Sequence, residues 1–240
     1  MSLRINGLIK KLIILIVIDM KKVVLILFTL IVTNVSGQND KFVEAMKGAL
    51  AVMDTSKSIK SLQKASNKFE RIAMAEKNEW LPYYYAAHCN ALIGFYTEKK
   101  KDKDAFYDKA LGFKDKSDSI NSNNSEIYAL HGFILQLKLM VNPMARGRKL
   151  GPESSRILQQ AIELDDNNPR PYYLMGSNLF YTPAQYGGGK DKACPLLEKS
   201  AQKYEAFKPE SDLHPTWGGD RAKMLWDKCN EEPVAEEKTE

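Results

Sequence analysis

The sequence predicts an all-α protein, and three observations carry that reading. Beyond residue 38 the apolar positions recur with a period near 3.6 and almost nothing alternates with period two, so helices are favoured throughout over strands. Prolines and short polar residues stand where helices begin. A tyrosine–glycine element also recurs at a fixed offset, which marks an internal repeat.

Taken in order, helices are expected over 40–53, 57–76, 80–98, 101–121, 125–141, 152–165, 168–181, 190–206 and 215–230. Asn168-Pro169 supplies a capping side chain followed by a proline in the first turn. Gly151-Pro152 and His214-Pro215 read as helix starts of the same kind, with 143–151 as the preceding loop, and Ser125 is placed to cap the helix of Tyr128. Gly187-Gly188-Gly189-Lys190 lacks the spacing of a phosphate loop and follows a helix, so it reads as an inter-helix turn.

The chain has 240 residues, 44% hydrophobic and 27% charged, which is globular composition with enough material for one core. Its net charge of +5 is largely a property of the leader. Without residues 1–37, which hold five basic residues and one acid, 30 basic and 29 acidic side chains remain, and a nucleic-acid partner loses its support. Lys21-Lys22, the apolar run Val23 to Val32 and the small residues Val35-Ser36-Gly37 have the order of a secretory signal starting at Met20. The expected organisation is therefore a leader over 1–37, a helical domain over 38–230 and a disordered charged tail over 231–240, exported to a periplasm or secreted, with no stable membrane span.

Two stretches recur at an offset of 44: Asn123-Asn124-Ser125-Glu126-Ile127-Tyr128 through Gly132, and Asn167-Asn168-Pro169-Arg170-Pro171-Tyr172 through Gly176. Together with Leu158-Gln159-Gln160-Ala161-Ile162-Glu163-Leu164-Asp165 before the second, they resemble the junction between tetratricopeptide repeats. That family places small residues such as Ala161 and Gly176 where helices approach closely. The resemblance implies a right-handed solenoid of about four antiparallel helix pairs, here with a period of 40–45 residues in place of 34. The second half, with Asn142-Pro143-Met144-Ala145-Arg146-Gly147, Phe180-Tyr181-Thr182-Pro183 and His214-Pro215-Thr216-Trp217-Gly218, is also similar to exported bacterial repeat proteins without an assigned activity.

Several groups invite a functional reading. Arg146, Arg148 and Lys149 crowd the expected loop before Pro152, where a helix N-terminus favours an anion. By the repeat offset they are expected beside Tyr181, Tyr186 and Lys190, giving a rim of cations and aromatics. Of Tyr83-Tyr84-Tyr85, Tyr85 belongs to the core, and Tyr83 or Tyr84 is expected at the surface as an interface anchor. His88 and His131 occupy matching positions, without a third ligand for a metal. Cys194 and Cys229 are equidistant from the connection between their helices and are candidates for a disulfide, with Cys89 a buried free thiol; two unbridged core cysteines are the alternative.

No nucleophile–base or paired-carboxylate arrangement points to catalysis, and no cofactor is expected. The sequence favours a non-enzymatic module holding a protein segment, its partner unidentified, in the concave face of the solenoid. The alternative is a small-molecule carboxylate or anion binder, or a transport accessory, using the basic rim from Arg146 to Lys149.

Overall fold

A computed structural model describes residues 40–56 and 58–231. Residues 1–45 and 46–240 form two units. Of the first only 40–45 are described, as the opening of helix α1 (40–54), and every later helix belongs to the second. The leader read over 1–37 lies outside the described residues, as does the tail beyond Glu231.

After α1 come α2 (Ile59–Ala75), α3 (Trp80–Tyr96), α4 (Lys100–Ile120), α5 (Ser125–Val141), α6 (Pro143–Leu164), α7 (Pro169–Tyr181), a single 3-10 turn (Ala184–Tyr186), α8 (Lys190–Ala206) and α9 (Gly219–Asn230). The described residues contain no strand. Local chemistry accounts for most of the starts. Ser58 and Ser61 form a reciprocal capping box on α2. Asn124, Asn142 and Asn168 each cap a helix by accepting from backbone N–H groups of its first turn. The cap of α5 is therefore Asn124, which leaves the Ser125 hydroxyl free to bond the Ala161 carbonyl at 2.7 Å.

Two segments differ from the sequence reading. Residues 143–151 are not a loop: α6 begins at Pro143 and carries Pro152 inside it. An internal proline costs a backbone hydrogen bond, and here that cost is offset by contacts with other helices. The Arg146 guanidinium donates to both carboxylate oxygens of Asp104 on α4 at 2.7 Å and to the Lys138 carbonyl on α5 at 2.9 Å. At the other end, α9 starts at Gly219, and residues 215–218, expected to be helical, are irregular. The glycine run 187–189 is a turn, with Gly187 and Gly189 at φ of 90° and 108°.

Successive helices pair in antiparallel fashion. In α3/α4, Ser117 near the end of one helix bonds the Trp80 carbonyl at the start of the other. The α7/α8 pair repeats that device with Ser200 and the Pro169 carbonyl, and α5/α6 uses Ser125 and Ala161. The pairs approach closely because glycine stands at the crossing. A Cβ on Gly132 would fall 2.5 Å from Leu158 Cγ, and one on Gly176 would fall 2.8 Å from Leu197 Cγ. Helices α3, α5 and α7 then lie side by side and point the same way. Glu126 and Arg170, each the second residue of its helix, meet at one end, and Gln136 reaches the Leu174 carbonyl further along. A disulfide between Cys194 and Cys229 joins α8 to α9 with Cα atoms 5.7 Å apart, and Cys89 is a buried free thiol.

Gly132→Ala drives its new methyl into Leu158, which has no exposure and nowhere to retreat. It is expected to cost about 1–3 kcal/mol, the usual penalty of overpacking, read as a lower urea midpoint at unchanged slope. A midpoint equal to wild type would contradict the close crossing.

Candidate functional site

Helices α3, α5 and α7 share a face, and the chain covers it with its own residues 207–218, the irregular connection between α8 and α9, here called the strap. Every one of the three helices contributes to holding it. From α3, the Tyr85 hydroxyl donates to the Leu213 carbonyl at 2.8 Å, and Tyr84 accepts from the Trp217 indole N–H at 2.8 Å. From α5, Phe133 packs on the Trp217 ring with centroids 5.6 Å apart. From α7, Arg170 donates to the Pro215 carbonyl and lies against the rings of Phe207 and Trp217, 4.8 and 5.3 Å from their centroids. Tyr204 of α8 closes the far end by donating to the Trp217 carbonyl.

Arg170 is the electrostatic centre of this face. Its side chain has no solvent exposure, and its ion-pair partner is Glu126 at 2.6 Å, itself 14% exposed. Burial pushes the Glu126 carboxyl up to about 7, with Arg170 pulling the other way. His88 on α3 lies 4.9 Å from the Trp217 ring. Burial, and then the Arg170 charge, hold its imidazole neutral and lower its pKa to about 3. Three buried polar atoms on this face have no partner among the described residues: His88 Nδ1, Glu126 Oε2 and Arg170 Nε. Beside the strap is a cavity of about 260 Å³, whose lining includes Asp54, Tyr85, His88 and Trp217.

The residues singled out in the sequence fall elsewhere, with one exception. Tyr84 is fully buried beneath the strap, and Tyr83 is half-buried and reaches the surface in part, its hydroxyl directed at the Ala73 carbonyl and its ring against Lys116. Arg146 is committed to Asp104, and Arg148 and Lys149 are exposed on the first turns of α6, with no helix start at Pro152. The helix start expected at Pro152 is therefore absent, because the helix begins nine residues earlier. Tyr181 and Tyr186 are exposed, while Lys190 bonds the Lys228 carbonyl and lies over Phe180. Arg146 and Lys190 are thus tied to different helices, and no polar contact joins the two expected ridges. His88 and His131 do not share a layer either. Their offset of 43 falls two short of the 45 between the starts of α3 and α5, about 200° of helix rotation. His131 accordingly lines a separate cavity with Lys114 and Arg156.

Glu126, Arg170 and Trp217 are the residues of this face that were not singled out as candidates in the sequence, and His88 was weighed there only as a metal ligand. One signal for two of them was present: Glu126 and Arg170 are 44 residues apart, the offset of the repeat itself. Opposite charges at the same position of neighbouring repeats are placed to meet.

No protein-family model matches the chain, so the tetratricopeptide likeness rests on the residues quoted for it. No curated protein matches either. Among solved structures, the HusA haemophore from Porphyromonas gingivalis is similar: 35% of residues are identical, the match covers 80% of this chain and 96% of that one, and the TM-score is 0.72. The chain belongs to the family of the HusA haemophore. Likeness over nearly the whole of that chain extends to the all-helical architecture. Among the described residues no group of three histidines, cysteines or carboxylates could hold a bare metal ion.

The neutral His88 makes a signed prediction. In the unfolded chain an imidazole takes up its proton near pH 6.5, and in the folded chain only near 3. The stability from keeping it unprotonated is fully present above 6.5 and is lost as pH falls from there toward 3. Urea midpoints of wild type should therefore drop more between pH 6.5 and 4.5 than those of His88→Phe. Equal drops would show that His88 is not held neutral.

Proposed function

We propose that the protein is an exported binder of a flat, carboxylate-bearing small molecule of the haem class, acting as a carrier and not as a catalyst. The observation that supports it best is kinship with a haemophore at 35% identity across 96% of that chain. In this reading the hairpins stack as a short right-handed solenoid of tetratricopeptide type, and α3, α5 and α7 line its inner face.

The chemistry of that face suits such a ligand. Tyr84, His88 and Phe133 offer aromatic surface for a conjugated ring, and Arg170 offers a guanidinium for a carboxylate. The iron of a haem cargo would not find an accessible thiolate there. Cys89 is buried, and Cys194 and Cys229 are bonded to each other. Stacking and charge pairing, not ligation by these residues, would hold the ligand. The competing reading, a scaffold for a protein segment, has less support because the kinship is with a haemophore.

Titrating the protein with hemin tests the proposal. The absorbance of hemin near its main visible–ultraviolet band should change saturably and reach its plateau at one equivalent. A spectrum that stays the sum of free hemin and free protein would overturn it.

A further inference from the structure

We propose that the strap, residues 207–218, is a lid, and that beneath it lies a carboxylate seat whose cation is Arg170. The identity of the ligand rests on the haem-class reading; the lid and the seat rest on the geometry of the face.

The first observation is where the unpartnered polar atoms are. Of the four buried side-chain polar atoms without a partner among the described residues, three belong to His88, Glu126 and Arg170. All three side chains lie on the face the strap covers. Each such atom is destabilising when nothing satisfies it. A face serving only to seat the strap would be more stable with apolar groups of the same volume. Hydrogen-bonding capacity held in reserve under a removable cover is what a binding site requires.

The second observation is how Arg170 divides its contacts. Glu126 belongs to α5 and remains in place whatever the strap does. The Pro215 carbonyl and the Phe207 and Trp217 rings all belong to the strap. Lifting the strap therefore exposes a guanidinium with a vacated N–H and an unused Nε–H, a fork suited to two carboxylate oxygens. The Pro215 carbonyl and the strap's rings occupy the place a ligand's carboxylate and ring would take.

The third observation is mechanical. The strap has no helix or strand of its own and ends at Gly218, whose φ of 105° leads directly into α9. The disulfide from Cys194 to Cys229 anchors α9 to α8, so the strap can lift while the terminal helix stays. Lifting would also make room. The cavity beside the closed strap is about 260 Å³, below the roughly 300–1,000 Å³ of ordinary ligand sites.

Hydrogen exchange with mass spectrometry on the wild-type protein, free and with either hemin or hemin dimethyl ester, decides the proposal without any substitution. In the free protein the amides of 207–218 should exchange by an opening of their own, well before those of α8 and α9. If they exchange only when α9 does, the strap is a fixed part of the fold and the lid is overturned. With hemin bound, exchange in 207–218 should rise while the first turns of α5 and α7 slow; an unchanged or slower strap would overturn it too. The ester, its carboxylates blocked, should bind at least about tenfold more weakly than hemin, the loss expected when one charge-assisted pair is removed. Equal affinities would overturn the seat. Failure of hemin to bind would count against the haem-class reading alone, and the ligand-free comparison would still decide the lid.

Discussion

The architecture turns on one buried ion pair. A guanidinium with no exposure must recover its lost hydration from partners inside the protein, and an unpaired ion there would cost several kcal/mol. Arg170 recovers it from Glu126 of the neighbouring repeat, from the Pro215 carbonyl and from the rings packed around it. Those partners belong to α5 and to the strap, whereas Arg170 itself belongs to α7. The pair therefore fixes the alignment of two parallel helices at their N-terminal ends and, in the same contact set, holds down the segment that covers them. The Glu126 carboxyl, raised to about 7 by burial, records the tension in this arrangement: desolvation works against the charge that Arg170 needs.

From that constraint the functional reading follows in steps. The helix pairs are held by close glycine crossings and by serines bonding facing carbonyls, and these leave α3, α5 and α7 with a common face. The face is aromatic, carries one cation and is covered by a connection with little structure of its own. Kinship with a haemophore is what the proposed ligand class rests on, and aromatic surface and a carboxylate partner are both useful to such a ligand. The outer rim first suggested by Arg146, Arg148 and Lys149 is less suited, because its best-placed guanidinium is already bonded twice to Asp104.

The all-helical class and most helix positions were legible because period, caps and the tyrosine–glycine repeat are local signals. Asn168-Pro169 announces α7 whatever surrounds it. The two misread segments were decided by distant residues. Pro143, Gly147, Gly151 and Pro152 look like a loop until Arg146 finds Asp104, 42 residues away. His214-Pro215 looks like a helix start until the Pro215 carbonyl is taken by Arg170 and the Trp217 indole by Tyr84, 45 and 133 residues away. The face beneath the strap was passed over for the same reason. Tyr84 sits in a cluster that reads as surface, and only the strap buries it. The spacing of Cys194 and Cys229 about their connection, by contrast, was a geometric signal within one hairpin, and the structure places a disulfide there.

A double-mutant cycle on Arg170→Met and Glu126→Gln, read by urea denaturation, tests the central role of the pair most directly. Each single change leaves an uncompensated buried group and should cost roughly 3–5 kcal/mol. The double variant should cost clearly less than the two together, because neither charge is then left alone. Costs that add to within about 0.5 kcal/mol would mean that the two residues act independently, and the account of this fold as organised around their contact would fail.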